Sequence, residues 1–323
     1  MARYLMRRLL MAIPVLWGIS LLLFTLLALA PGDPLGEFML NPNIPPEVRA
    51  NLRQQFGLDD PVLLRYGRWF TAMLHGDWGY SFVSRVPALT LITQRLPTTL
   101  FVMGAAYGLA VLIAFPVGIL SALKPYTLFD QVATTVALLG AALPTFVTGL
   151  LGILLFSSTL GWLPFIYSST IDAHGLAWVL ASLRQSAMPI VVLGCFEAAS
   201  LTRFVRASLL DVLTQEYVHT ARAKGLSEAR TVLKHALRNA LIPIVTVVAL
   251  HMPTMVTGAV ITEQMFRVPG MGALLIAAIE STDTPVVMAI TFVYAVLVLV
   301  CTVLADCLYG LLDPRITYRA RSA

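Results

Sequence analysis

Residues 214–243 read TQEYVHTARAKGLSEARTVLKHALRNALIP, a basic segment set between two apolar stretches. The loop around it, 202–239, carries Arg203, Arg206, Arg222, Lys224, Arg230, Lys234 and Arg238 against Asp211, Glu216 and Glu228. Its punctuation predicts two helical pieces. Thr214 stands as the cap of a short helix through Ala223. Gly225 ends that helix, because glycine takes the left-handed backbone that lets the chain reverse. Ser227 stands as the cap of a second helix, opened by Glu228 and running towards Asn239. In the first piece Tyr217, Ala221 and Lys224 share a face, and the small residues there leave room for a close contact. On physics alone, a docking helix and a solvated basic loop are equally good readings of this stretch.

Outward from the loop lie the apolar runs. On its N-terminal side are about Thr98–Leu120, Val132–Ser157 and Ala187–Leu201, and on its C-terminal side Ala240–Thr262 and Val287–Gly310. The first run of the chain is Leu9–Ala30. A bilayer-spanning helix needs about 20 mostly apolar residues, so six take about 120 and leave roughly 200 for loops and surface helices. Composition agrees: 58% of the 323 residues are hydrophobic and 12% charged, against about 25% charged in a soluble domain. The mean hydropathy of +0.81 makes lipid the main solvent. A soluble enzyme and a nucleic-acid binder are excluded. Leu9–Ala30 follows Arg3, Arg7 and Arg8 and ends in the small-residue pattern Ala28-Leu29-Ala30, as a secretory leader would. At 22 residues it is longer than the 7–15 of a leader's apolar region, and it reads as an uncleaved first span. The run 187–201 is the weakest: it is short, contains Glu197 and leads into Arg203 and Arg206.

Six spans place both termini on one side. Fourteen Lys and Arg fall on the side of the termini and eight on the other, six of the eight in the long loop 31–97. Long loops count little in setting orientation, so both termini are expected to be cytoplasmic. The net charge of +5 follows from this topology and needs no acidic partner. The chain therefore divides into a tail and first span (1–30), an external loop with short amphipathic helices (31–97), a five-span core (98–318) containing the cytoplasmic loop 202–239, and a tail (319–323).

The external loop predicts a helix opened by Pro45-Pro46-Glu47, with Val48, Leu52 and Phe56 on one face and Gly57 as a stop. A second has Asp60 as cap and Pro61 at its first position, an apolar face running from Val62 to Leu74, and Gly76 as its stop. Such helices pack on the protein's own outer face, lie in the lipid interface, or dock an external partner. Within the spans, Gly104-x-x-x-Gly108 permits close helix approach. Cys195, Cys301 and Cys307 read as small buried hydrophobes. Nothing has the pattern of a catalytic, metal or phosphate-binding site: no GxxxxGK[ST], no HExxH, no GxSxG. Glu197, His251, Glu263 and Asp306 are the polar positions in or beside the spans. Glu197 and Asp306 are expected near cytoplasmic ends and His251 nearer mid-span.

At the inner loop the chain resembles a known family. Glu216-Tyr217-Val218-His219-Thr220-Ala221-Arg222-Ala223-Lys224-Gly225-Leu226-Ser227, followed by His235-Ala236-Leu237-Arg238-Asn239-Ala240-Leu241-Ile242-Pro243, is similar to the coupling-loop signature of ABC importer permeases. The likeness is to the dipeptide and oligopeptide branch, with its ARAKGL and NALIP elements. Against the general permease signature, aligned on Gly225, Ala221 and Leu237 fit. His219 and Thr220 replace Glu and Ala, and Arg238 stands where Pro would. Further pieces follow in family order: Ala30-Pro31-Gly32-Asp33-Pro34, Phe56-Gly57-Leu58-Asp59-Asp60-Pro61, Gly76-Asp77-Trp78-Gly79, Leu96-Pro97-Thr98-Thr99, Glu263-Gln264-Met265-Phe266 with Pro269-Gly270-Met271-Gly272, and Leu312-Asp313-Pro314-Arg315. The short outer segment 158–186 departs from the pattern.

The resemblance implies an all-α, six-span membrane protein with the type I ABC importer permease fold, in a bacterial or archaeal cytoplasmic membrane. It implies a second related permease, two ATP-binding subunits carrying ATP and Mg²⁺, and an extracytoplasmic substrate-binding protein, with membrane lipid around them. No catalysis, cofactor, metal or nucleic acid is expected on this chain. The helix 214–225 would sit in a cleft of an ATP-binding subunit through Glu216, Tyr217, Ala221, Arg222, Ala223, Lys224 and Gly225. Peptide is the first substrate class. Nickel, glutathione or another small solute fits the same family, and an ion-gradient-driven carrier is the alternative of another class.

Overall fold

A computed structural model describes residues 2–29, 45–48, 51, 59–164, 166–167 and 175–312. Helices account for nearly all of them, and among the described residues the β pairing is one isolated bridge between Tyr80 and Pro87. In chain order they are α1 (Ala2–Leu29), α2 (Val62–Leu74), α3 (Ala88–Leu123), α4 (Leu128–Ala142) and α5 (Thr145–Gly152), which runs into a π-helical stretch at Ile153–Thr159. Then come α6 (Leu176–Leu213) and α7 (Glu216–Ala223). A turn at Glu228–Arg230 and a π-helical stretch at Thr231–Ala236 lead into α8 (Leu237–His251). Last are α9 (Thr254–Phe266), α10 (Met271–Glu280) and α11 (Thr284–Leu312).

Five stretches are long and apolar enough to cross a bilayer: Met6–Leu29, Ala88–Leu123, Leu180–Leu213, Glu228–Val256 and Thr284–Leu308. The sixth expected span is broken. Leu128–Ala142 and Thr145–Thr159 meet at 105°, where Pro144 has no N–H to continue the helix. Counted as one span, the pair gives six.

The helices outrun the apolar windows that located them. α6 has 38 residues, about 57 Å at 1.5 Å per residue, nearly twice the ~30 Å hydrocarbon layer. Its charged residues mark where lipid ends, not where the helix ends. Glu197 lies at the middle of the stretch Leu180–Leu213, six residues before Arg203. α10 has 10 residues, too few to cross.

The central seam is α3 against α6. A Cβ on Gly118 would fall 2.8 Å from the Thr202 carbonyl and from Val205, and one on Gly194 would fall 2.9 Å from the Ala106 carbonyl. Backbone therefore meets backbone at both glycines. Gly104 and Gly108 meet nothing within 4 Å, so the GxxxG motif is not the close-approach face. Around this seam Ile92, Val102, Leu193, Met255, Met271 and Ile290 form the larger core. A groove of about 770 Å³ between α3, α4, α5 and α6 is lined by apolar side chains. Cys195 opens onto it and is exposed, contrary to the expectation for that thiol, while Cys301 and Cys307 are half-buried.

Away from this core, α2 rests on α1. The Tyr66 and Ser20 hydroxyls are 2.8 Å apart and buried, and Phe24 meets the Tyr66 ring edge-on at 5.6 Å. Asp60 does not cap this helix. Its carboxylate takes Arg68 at 2.5 Å, two turns on, and α2 starts after Pro61. The other predicted outer helix lies largely outside the described residues. The turn after α2 folds onto the start of α11. Asp283 accepts from the Ser81 hydroxyl at 2.5 Å and the Phe82 N–H at 3.1 Å, and Trp78 packs edge-on against Phe292.

Candidate functional site

The cytoplasmic end of α6 carries the loop that the sequence singles out. α6 ends at Leu213, and the Thr214 hydroxyl donates back to the Asp211 carbonyl at 2.9 Å. Thr214 thus closes α6 and does not cap the next helix. Gln215 occupies the cap position of α7 but does not cap it, its side-chain amide donating back to the Asp211 carbonyl at 3.2 Å. Ser227 holds the corresponding position before Glu228, without a side-chain cap bond.

α7 is eight residues long, too short to persist alone. Val218 and Ala221 are buried, and Val218 joins Val205, Leu209, Ala236, Ala240 and Ile244 in a second core. Burying a valine contributes about 1.5–3 kcal/mol. Three further devices fix the far end. Gly225 has φ +78°. Its N–H reaches the Arg222 carbonyl at 2.9 Å, and the Leu226 N–H reaches the Ala221 carbonyl at 3.4 Å, the paired bonds of a Schellman turn. Arg222 then grips Glu228 with two N–H groups at 3.1 and 2.7 Å. That carboxylate raises the already high Arg222 pKa, so the guanidinium stays charged.

The result is a small rigid tip with a defined outer face. Glu216, Tyr217, His219, Thr220, Arg222, Ala223, Lys224 and Gly225 are exposed, while Ala221 turns inward with Val218. Tyr217, Thr220 and Lys224 follow helical spacing on the solvent side. Ala221, expected to share a face with Tyr217, therefore packs on the chain itself.

A staple absent from the sequence reading holds the neighbouring loop. Arg206 donates to Asp130 from Nε at 2.5 Å and from Nη2 at 2.7 Å. The Tyr126 N–H adds a bond at 2.8 Å. This joins the inner end of α4 to α6 seven residues before α6 ends. An Arg inside a loop that already obeys topology gives no sign in sequence that it has a buried partner 76 residues away.

The four polar positions separate. Asp306 pairs with Arg8 at 2.7 Å, tying α11 to α1. Glu263 is fully buried and has no open face. It accepts from the Thr99 hydroxyl at 2.6 Å, the Gly272 N–H at 2.6 Å and the Ala273 N–H at 3.4 Å. Thr99 in turn accepts from the Met271 N–H at 2.8 Å. Three short sequence motifs, at 96–99, 263–266 and 269–272, thus form one clamp on the N-terminus of α10, where a carboxylate is favoured. Glu197 and His251 approach each other at 3.5 Å between α6 and α8. No group of three or more His, Cys, Asp or Glu that could hold a metal occurs among the described residues.

A family model described as "Binding-protein-dependent transport system inner membrane component" matches residues 114–318, and one for the N-terminal part of such components matches residues 1–103. The oligopeptide transport system permease protein AppB of Bacillus subtilis is 41% identical over 319 residues, covering 98% of this chain and 100% of AppB. The di/tripeptide transport system permease protein DppB of Pseudomonas aeruginosa is 37% identical, covering 99% and 100%. The glutathione transport system permease protein GsiC of Salmonella paratyphi A is 36% identical, again covering 99% and 100%. A crystal structure of an amino acid ABC transporter with histidines matches with a TM-score of 0.53 at 15% identity, over 68% of this chain and 94% of that one, which shows a shared fold.

Proposed function

Because the chain belongs to the binding-protein-dependent transport system inner membrane components, the multi-pass permeases of ABC importers, we propose that its cargo is short peptides. Its relatives named for oligopeptides, di/tripeptides and glutathione point to the same peptide chemistry. In this reading the chain forms half of a pathway completed by a second permease. ATP and Mg²⁺ are held by two separate ATP-binding subunits, and a substrate-binding protein delivers the peptide from outside. The chain itself performs no catalysis.

The observation that carries the reading is the tip built by α7. Its inner face packs on α6 and α8 through Val218, with Ala221 buried beside it, and its outer face presents Tyr217, Thr220 and Lys224. A lever needs both properties: rigid attachment on one side and a free contact on the other. Closure of the ATP-binding subunits would displace α7, and α6 would carry that displacement into the membrane.

Gly225→Trp tests the coupling. A Cβ at Gly225 meets nothing within 4 Å, so the chain itself has room. The left-handed φ costs a non-glycine residue about 1–2 kcal/mol, too little to unfold the protein, while the indole stands where the partner would dock. The complex should assemble but lose ATP-driven uptake. Intact uptake in a folded, assembled complex would refute the coupling role.

A further inference from the structure

Four carboxylates are buried among the described residues: Asp130, Glu197, Glu263 and Asp283. Three have donors in good geometry, from Arg206 and Tyr126, from Thr99, Gly272 and Ala273, and from Ser81 and Phe82. Glu197 is as buried as they are, at 5% exposure. Its contact is His251 Nδ1 at 3.5 Å, the outer limit of a hydrogen bond. A buried acceptor so short of donors is costly, and an ionisable group within a membrane span more so.

The surroundings are rich in acceptors. His251 ends α8, and the helix breaks at Met252-Pro253 before α9. Pro253 has no N–H. The Met252 N–H turns to the Ala249 carbonyl at 3.3 Å, which leaves the Val248 carbonyl to the Tyr107 hydroxyl. The Thr254 hydroxyl donates to the His251 carbonyl at 2.7 Å. The Met252 N–H and the Tyr107 and Thr254 hydroxyls are thus spent on backbone carbonyls. The His251 side chain is 32% exposed, so the pair opens towards the outside of this chain on the imidazole's side. Cys195, Phe196, Ala198 and Ala199 line the apolar groove, and Glu197 does not.

We propose that Glu197 is a subsite for the α-ammonium group of a transported peptide, with the His251 imidazole as its placeholder in the empty state. An ammonium brings three N–H donors and no acceptor, which is what this carboxylate lacks. Every unmodified peptide carries one such group whatever its side chains, so a fixed carboxylate suits a carrier of varied peptides. The partly exposed imidazole gives way when the ammonium arrives. The inference rests on the peptide reading above.

The test uses the complete importer, purified with its partner subunits and reconstituted in proteoliposomes. ATP-driven uptake of labelled trialanine and N-acetyl-trialanine is measured together with ATP hydrolysis. Glu197→Gln, equal in size and uncharged, is expected to lower trialanine moved per ATP by tenfold or more and to change N-acetyl-trialanine by less than twofold. No loss, or an equal loss for both peptides, overturns the proposal. Where Glu197→Gln does not assemble, or the wild type moves no acetylated peptide, two variants of His251 decide. His251→Lys places a built-in ammonium beside the carboxylate and should lower trialanine per ATP tenfold, while His251→Gln keeps at least half. Equal behaviour of those two also overturns it. A wild type that moves neither peptide refutes the peptide reading itself, and the subsite with it.

Discussion

Gly272→Ala adds one methyl group at the most crowded point of the clamp around Glu263. That Cβ would lie 2.5 Å from the Val260 Cα and 2.9 Å from Glu263 Oε2. Carbon atoms rest at about 3.5–4.0 Å, so α10 must withdraw from α9 by roughly 1 Å. The Gly272 N–H bond to Glu263 at 2.6 Å then stretches beyond hydrogen-bonding range. Overpacking costs about 1–3 kcal/mol and a lost bond to a charged group about 1.5–3, so the substitution should destabilise by roughly 3–5 kcal/mol. At 2–4 °C per kcal/mol for a chain of this order of size, the midpoint should fall by about 6–20 °C. Gly104→Ala is the matched control. It is also a helical glycine, a Cβ there meets nothing within 4 Å, and alanine gains about 0.5–1 kcal/mol in a helix. Thermal unfolding of the assembled importer in nanodiscs, followed by tryptophan fluorescence, compares them. Equal midpoints for Gly272→Ala and wild type would show that α10 is free to move and that the clamp does not hold it.

Asp130→Asn keeps the side-chain volume but leaves the Arg206 guanidinium without its carboxylate. Breaking a buried pair costs about 3–5 kcal/mol; because Arg206 is partly exposed, the lower end applies. Removing both partners should recover part of the loss in a double-mutant cycle on the same midpoint. Ser20→Ala strands the buried Tyr66 hydroxyl at a cost of about 1–3 kcal/mol. Its effect should stay local, with faster protease cleavage near α2 and unchanged assembly of the core.

The spans were legible because lipid demands long apolar runs, and that demand is written residue by residue. Their ends were not, since a helix continues past the lipid wherever its residues allow it. Hydropathy therefore placed the centre of the 187–201 run correctly while missing more than half of α6. Gly225 was legible because a left-handed stop admits few residue types. Caps were not, since Asp60 and Thr214 each had a competing partner, Arg68 and the Asp211 carbonyl. Which face a glycine serves depends on the neighbouring helix, so Gly104 and Gly108 misled where Gly118 and Gly194 did the packing. The Glu263 clamp joins residues 164 positions apart. Its pieces were visible as separate motifs, but periodicity carries no information about which distant pieces meet.

α6 links everything that a displacement of α7 could reach. It carries Arg206 of the inner staple, Glu197 of the pair with His251 and the Gly194 contact to α3. The seams along it are unequal. Backbone contact at Gly118 and Gly194 and the two short bonds to Asp130 bind α6 to α3 and α4, so these elements should move together. The Glu197–His251 contact is long, spans two separate elements, and lies beside the break between α8 and α9. A displacement of α6 against α8 would open that contact first and bare the carboxylate while the staple still held. Work done at the cytoplasmic tip would thus appear within the span as access to an acceptor. This ordering requires Asp130→Asn to lower trialanine moved per ATP less than Glu197→Gln does, although it destabilises the fold more. The reverse ranking would place the yielding seam at the staple.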